Sequence, residues 1–309
     1  MVDLEKLRAL VELSRLGTMS AVADATGYGT SAVSQQLAGL ERQLGVDLLE
    51  AHGRRVRLTP AGRRLAAHGK TILAAVTAAQ LDLAEQAAPS GVVRVAAYGT
   101  AMRRHLIPAL AEIADRYPTM SLELQEYEPP ETLTLLDDDG IDVGFVYDYT
   151  LVPRVWRHPH TLLSTSRVVL AVPADAKVAD RISEPSDLDV FRDTPWIANS
   201  RDTGDDELAA RLCALAGWAP DIRHRADDLD LVADLVLAGQ GVSVLPAESQ
   251  EAKRVRTVAL ELGNVERRMW SGTRAGTQTW RAATALIELV RSHVVSQYPA
   301  DVPLSPEVN

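Results

Sequence analysis

Apolar positions recur at helical spacing from the start of the chain. Leu4, Leu7, Leu10, Val11 and Ser14 share one helical face, and Gly17 stops that helix. Ser20 can cap a short second helix over 21–25, and Gly27 ends it in a tight turn. A third helix sets Val33, Leu37, Leu40 and Leu44 on its buried side at spacings of four, three and four. Its other side carries Ser31, Ser34, Gln35 and Ala38, with Glu41 and Arg42 the charged positions further on. Three short helices with small residues at the second-to-third turn predict a helix-turn-helix. Short apolar segments at 48–49 and 56–58 flank His52-Gly53-Arg54-Arg55 and read as a two-stranded wing.

Thr59 and Pro60 then have the chemistry of an N-cap and a first helical position, opening a helix that runs to about residue 86. Along it Leu65, Gly69, Ile72, Val76, Ala79 and Leu83 repeat at heptad spacing, which predicts a pairing surface and hence a dimer. Ala87-Ala88-Pro89-Ser90-Gly91 breaks the helix as a hinge. Beyond it the period changes. Strand-like 92–97, helical 101–116, strand-like 122–127, helical 131–138 and a buried strand over 143–147 give βαβαβ, the start of a parallel sheet. A second unit opens near Leu163, with strands at 167–172, 196–199, 222–225 and 242–245 and helices at 205–216 and 228–238. Further strands at 255–260 and 267–273, a long amphipathic helix over 279–294 and a frayed tail from Pro299 complete the chain. The fold class is therefore a multidomain α plus α/β chain. A winged helix-turn-helix (1–62) and a linker helix with hinge (63–90) precede a two-lobed α/β domain (91–309). Lobe I takes about 91–163 and 267–309, and lobe II about 164–266.

The 309 residues carry a net charge of −10, which on its face argues against a nucleic-acid partner. The distribution removes that objection. Residues 1–90 balance at +1 and the remainder at −11, while 51–81 contain no acid but hold Arg54, Arg55, Arg57, Arg63, Arg64 and Lys70. Screening confines each field to about 10 Å, so a local basic segment can neutralise phosphates however acidic a distant domain is. No run approaches eighteen apolar residues, and the first ten residues already carry four charges, so the sequence reads as cytoplasmic, without a membrane span or signal peptide. Cys213 is the single cysteine, which excludes a disulfide framework and a cysteine-cluster metal site. It lies among Leu212, Ala214 and Leu215 and reads as core. His158 and His160 lack a carboxylate or thiolate at ligand spacing, so they read as surface-loop residues and no metal is expected. Gly27-Tyr28-Gly29 lacks the following Lys-Ser/Thr of a phosphate loop. No nucleophile is paired with a base. No cofactor and no enzymatic activity are expected.

Ser31-Ala32-Val33-Ser34-Gln35-Gln36-Leu37, then Leu40-Glu41-Arg42-Gln43-Leu44-Gly45-Val46, resembles the LysR-type transcriptional regulators. So do Gly53 to Gly62, Ile141-Asp142-Val143-Gly144 and Ala238 to Pro246, in the same order. The resemblance is dense over the first 62 residues and looser beyond Gly91. It implies a winged helix-turn-helix, a dimerising linker helix, and an effector domain like the type 2 periplasmic binding proteins, with tetramers formed as dimers of dimers. Thr26 stands where the family usually has a bulky aliphatic. Gly29-Thr30-Ser31 replaces a frequent Ser-Gln-Pro, leaving Thr30 to act as N-cap. Ala51 stands where an arginine is common.

By position in the motif, Thr30, Ser31, Ser34 and Gln35 face the DNA groove, and Gln35 is the best base reader because its amide matches the N6/N7 edge of adenine. Arg54, Arg55 and Arg57 are expected on phosphate or an adjacent minor groove, Arg55 and Arg57 sharing a strand face. Thr100 follows the first strand of the C-terminal domain and precedes a helix, a place for an anion. The resemblance sets Thr100 with Asn199, Ser200 and Thr203 around a cleft that holds a small inducer. Asp202, Asp227 and Asp228 would repel an anion, and Tyr147, Asp148 and Tyr149 add aromatic faces and another acid near its mouth. The expected effector is therefore zwitterionic or amine-bearing, with Tyr147 and Asp228 among its contacts and Thr100 at its carboxylate end. Expected partners are double-stranded operator DNA, the effector, RNA polymerase and further copies of the chain as homodimer or homotetramer. The alternative reading is an architectural DNA-binding protein whose C-terminal domain oligomerises and binds no ligand.

Overall fold

The computed structural model describes residues 2–52, 55–83, 88–198, 204–247, 249–274, 277–278 and 280–297. Two compact units divide the chain, one comprising residues 1–87 with 275–281 and the other residues 88–274 with 282–309.

The first unit comprises α1 (Leu4–Leu16), α2 (Met19–Thr26), α3 (Thr30–Leu44), β1 (Leu49–His52), β2 (Arg55–Leu58) and α4 (Pro60–Leu83). Asp3 caps α1 by accepting from the Glu5 and Lys6 amides, and Gly17 ends it with φ of 74°. Thr18, not Ser20, caps α2, its Oγ1 accepting from the Ala21 amide at 3.2 Å. Gly29 takes the N-cap position of α3 without a side-chain bond, so Thr30 is the first helical residue and not the cap expected of it. Val33, Leu37 and Leu40 close the core against Leu10, Leu13 and Val22. Leu44 lies in the last turn of α3, past the hydrophobic core, and is exposed, contrary to its periodicity.

The wing is an antiparallel pair with Glu50 opposite Arg57. Glu41 pins it to α3, its Oε1 accepting from the amides of Leu48 (2.9 Å) and Leu49 (3.0 Å). Thr59 joins wing to helix: its hydroxyl donates to the Asp47 carbonyl and accepts from the Gly62 amide. A Cβ at Gly62 would come within 2.2 Å of the Leu48 carbonyl oxygen, so only glycine fits that crossing. A Cβ at Gly69 would lie 2.8 Å from Val11 and 3.0 Å from Leu7. The first part of the expected heptad seam is thus spent on α1: Leu65 packs on the core and Gly69 receives α1, while Ile72 is exposed. The side chains of Ala79 and Leu83 lie outside the described residues.

The second unit begins with β3 (Gly91–Ala97), α5 (Gly99–Ala101), a π-helical turn (Met102–Leu106) and α6 (Ile107–Arg116). β4 (Met120–Glu126), α7 (Pro129–Asp137), β5 (Val143–Tyr149) and β6 (His160–Val172) follow. Next come β7 (Arg181–Ile182), β8 (Pro195–Ala198), α8 (Gly204–Leu215), β9 (Asp221–Arg225) and α9 (Leu229–Leu237). β10 (Ser243–Pro246), β11 (Arg256–Leu260), β12 (Glu266–Thr273) and α10 (Arg281–Gln297) end the described chain.

β3 pairs in parallel with both β4 and β5, as the βαβαβ pattern requires, and β12 joins β5 antiparallel. β6 is one strand through both lobes and not a new start near Leu163. Up to Arg167 it pairs with β12, and from Val168 it pairs with β10 and β11. β8 and β9 form a separate parallel pair. Two buried carboxylates of the unit, Asp142 and Asp148, are matched by arginines. Asp142 receives the Arg94 guanidinium and, at 3.1 Å, Arg274. Asp148 is not at a cleft mouth as expected: it is buried and takes Arg268, the Trp270 indole N–H and the Arg154 amide. His158 and His160 are half-buried and do not form a loose surface loop, because His158 meets Asp137 at 3.1 Å and His160 stacks on Trp156.

Candidate functional site

Two surfaces carry chemistry, one in each unit. In the first, the helix-turn-helix leaves Thr30, Ser31, Ser34 and Gln35 exposed along one side of α3, opposite Val33, Leu37 and Leu40. Small hydroxyls at the leading turn and one amide a turn later make a surface that can enter a groove without filling it. On the wing, Arg57 meets Glu50 at 2.8 Å with side chains 61% and 42% exposed. Such an open pair contributes at most about 1 kcal/mol, so Arg57 can exchange Glu50 for a phosphate at little cost. Arg54 and the side chain of Arg55 lie outside the described residues.

The second surface is a cleft between the halves of the α/β unit. α5 and the π turn form one wall, β12 and the first part of β6 the floor, and β10 with the first turns of α8 and α9 the far side. A π turn is wider than an α turn and is frequent at functional sites. Here it sends three consecutive side chains to three destinations. Arg103 crosses to Asp228 (3.2 Å), Arg104 crosses to Glu251 (3.0 Å), and His105 turns inward to line the cleft. Tyr149 adds a further crossing bond, its hydroxyl donating to Asp205 at 2.5 Å.

Arg267 stands at the centre, on the wall common to both ends of the cleft. Its guanidinium carbon lies 3.9 Å from the ring centre of Tyr147 and 4.8 Å from that of Tyr98. Burial opposes its charge, but the surrounding tyrosines and Asp205 hold its pKa above the ordinary arginine value. Its Nε is shielded from solvent and has no hydrogen-bond partner among the described residues. An arginine lying over aromatic rings with its Nε unpaired has the chemistry to receive an anionic group.

The two ends differ in polarity. At one, Thr100, Ser164, Ser166 and Ser249 surround Arg267 together with Arg104 and His105. Burial, then the charges of Arg104 and His293, lower the His105 pKa to about 4, so the ring is neutral, and its Nδ1 is buried without a partner. At the other end Glu128, Asp205, Asp227 and Asp228 converge. Burial lifts the Glu128 carboxyl to about 7 against the opposing effect of the Tyr147 hydroxyl, which donates to it at 3.1 Å. Burial likewise raises Asp205, again against a phenolic hydrogen bond.

Thr100 lies in α5 at the junction of both ends, with Tyr98 and not Thr100 in the N-cap position. Tyr147 is not at the cleft mouth as expected: β5 runs past it to Tyr149, and Tyr147 is buried as the platform under Arg267. Asp228 lines the acidic end but is already engaged, capping α9 through the Asp230 and Leu231 amides and pairing with Arg103. Asn199, Ser200, Asp202 and Thr203 lie outside the described residues. Sequence reasoning missed Arg267, His105, Glu128 and Asp205. Two signals were available. Arg267 is a charge entering the strand 267–273, and His105 continues the buried stripe Ala101, Ala109 and Ile113 at intervals of four.

Cys213 is buried in α8, and burial pushes its thiol up to about 12. Among the described residues no group of His, Cys, Asp and Glu could hold a metal ion. No described helix is long and apolar enough to cross a membrane.

Each surface falls within a segment that matches a known family. The model of the bacterial regulatory helix-turn-helix protein, lysR family, matches residues 4–63. The model of the LysR substrate binding domain matches 86–295. The chain is 30% identical over 243 residues to the HTH-type transcriptional regulator CysB of Burkholderia cenocepacia, covering 74% of this chain and 72% of that protein. It is 27% identical over 248 residues to the transcriptional dual regulator GltC of Bacillus subtilis, covering 79% and 81%. A full-length OxyR variant from Pseudomonas aeruginosa shares the fold, with a TM-score of 0.67, 21% identity and coverage of 94% and 98%.

Proposed function

Because the chain belongs to the LysR family of bacterial helix-turn-helix regulators, we propose that it reads operator DNA with α3 and the wing and is switched by a small molecule held against Arg267. It is a DNA-binding transcriptional regulator and not an enzyme. Thr30, Ser31, Ser34 and Gln35 are assigned to the groove, and Arg54, Arg55 and Arg57 to phosphate or the adjacent minor groove. The head with its wing (1–62), the linker helix (63–90) and the effector domain (91–309) are its working parts. The chain acts in the cytoplasm as a homodimer or homotetramer, placing recognition helices in successive major grooves, and the assembled complex is presented to RNA polymerase.

One observation carries the effector assignment: a guanidinium lying over the rings of two tyrosines in an interlobe cleft, with a shielded Nε that nothing in the described chain satisfies. Effector binding there would draw on both lobes at once, since Arg267 lies on β12 while Asp228 and Glu251 reach the π turn from the other lobe. The switch follows from a difference in affinity between the two arrangements of the lobes.

Some relatives are named as hydrogen peroxide-inducible activators. That response is not carried over by an intrachain disulfide, since the sequence holds one cysteine, and its buried thiol has little thiolate character.

Footprinting on operator DNA, with and without the low-molecular-mass fraction of a cell extract, tests the reading. A footprint that lengthens, shortens or gains hypersensitive bands in the presence of small molecules supports it. An unchanged footprint overturns it in favour of an architectural DNA-binding protein.

A further inference from the structure

We propose that the cleft selects a small zwitterion of the amino-acid class, its anionic group on Arg267 and His105 and its ammonium between Glu128 and Asp205. This deepens the effector reading above and rests on it.

The anionic end is set by two unsatisfied donors on different elements. The Arg267 Nε, on β12, has no partner among the described residues. The His105 Nδ1, on the π turn, is also buried without one. A neutral imidazole can donate one hydrogen to a carboxylate oxygen without bringing a counter-ion of its own. Hydroxyls of Ser164 and Ser166 lie along the same end. A carboxylate accepts from several such donors at once. Asp205 offsets part of the Arg267 charge from the other end, but a neutral ligand leaves the buried Nε without the charged acceptor it can take.

At the opposite end the donors are of the wrong kind for the charges present. Glu128 and Asp205 receive phenolic hydrogens from Tyr147 and Tyr149, which satisfy an oxygen but cancel no charge. Arg103, which also borders this end, is committed to Asp228. The burial that raises both carboxyls makes their ionised forms costly, and a desolvated ammonium beside them restores those forms. A ligand bearing only an anion would meet these carboxylates with like charge. One bearing only an amine would leave Arg267 and His105 empty. Both ends are filled together when one molecule carries both groups a few atoms apart.

The test is titration calorimetry on the full-length protein. The common L-amino acids serve as probes, each beside its desamino carboxylic acid and its decarboxylated amine. The expected result is binding of at least one amino acid, with its matched acid and amine each weaker by about tenfold or more, the equivalent of one lost ion contact. Glu128→Gln and, independently, Asp205→Asn are expected to weaken the amino acid while leaving the matched acid no weaker. Equal binding by an acid or an amine overturns the proposal, as does an absence of binding across the amino acids. The two readings fail separately. A simple carboxylate that binds and alters the footprint removes the zwitterion but keeps the regulator, whereas a footprint that no small molecule alters removes the regulator itself.

Discussion

The guanidinium of Arg267 lies over the ring of Tyr147, its carbon 3.9 Å from the ring centre, while the hydroxyl of that ring donates to Glu128. One side chain therefore supports the cation on its face and a carboxylate at its edge. Tyr147→Phe keeps the face and removes the edge contact. Effector affinity is expected to fall by about two- to tenfold in this variant, the worth of one neutral hydrogen bond. Tyr147→Leu, which removes the face as well, is expected to lose more, as calorimetry with a bound effector would measure.

Arg267→Met removes the anion receptor while keeping much of the volume. Effector binding is expected to weaken about ten- to a hundredfold, in line with loss of a charge-assisted hydrogen bond. Arg267→Lys should recover only part of it, because an ammonium is a point charge and lacks the planar fork that holds several N–H donors in fixed directions. Full recovery by lysine would mean that charge alone, not the planar fork, binds the anion.

The pH dependence of stability has a defined sign. Glu128 is raised from 4.5 to about 7, so between those values the folded chain holds a proton that the unfolded chain releases. Its contribution favours folding fully below the lower value and is lost as pH rises through the higher one. Glu128→Gln abolishes this titration, and its stability relative to the parent is expected to rise by about 2–3 kcal/mol between pH 5 and pH 8. His105 acts in the opposite sense, since its pKa falls from 6.5 to about 4. Its neutral burial favours folding above the higher value and that contribution is lost as pH falls through the lower. Denaturant melts of both variants across pH separate the two groups.

On DNA, Arg57→Ala is expected to weaken binding to all sequences and to reduce the salt slope by about one. Gln35→Ala is expected to relax preference at one base pair, with a loss of about 1–3 kcal/mol of discrimination and little change in slope. A binding isotherm series in salt and a single-substitution operator panel measure both. An unchanged slope for Arg57→Ala removes it from the phosphate contacts and leaves it as the partner of Glu50.

Gly69→Ala tests the close crossing of α4 over α1. The added methyl meets Val11 and Leu7 at 2.8 and 3.0 Å, so a loss of about 1–3 kcal/mol is expected in a thermal or chemical melt. This position also marks where heptad spacing misleads. A glycine in the seam looked like one more pairing position, whereas its missing side chain admits a neighbouring helix of the same chain.

Local grammar was largely readable from the residues. Gly17 and Gly27 stop their helices with positive φ, and Thr59 with Pro60 opens α4 as their chemistry dictates. The exposed side of α3 followed from periodicity, since Val33, Leu37 and Leu40 fix which side is buried. The cleft was less legible for a physical reason. Its residues come from β12, the π turn, β4–α7 and α8, and nothing in the spacing of a sequence says that Arg267 will rest on Tyr147. The π turn has no signature in hydrophobic period, yet it decides that His105 points inward while Arg103 and Arg104 cross the cleft. Acids close to a predicted mouth, such as Asp148 and Asp228, attracted functional assignments because sequence does not display the cations that already hold them.

β6 belongs to both lobes without a break in its strand conformation, its ladder passing from β12 at Arg167 to β10 at Val168. A hinge made of loop rotates freely over a wide angle. A hinge made of continuous strand behaves as a leaf spring, because every degree of opening must be spread over backbone hydrogen bonds that stay formed. The lobes can therefore twist stiffly through small angles while remaining one elastic body. An effector held at Arg267 would thus work against a stiff strand, so small twists of the lobes are expected in place of a wide swing.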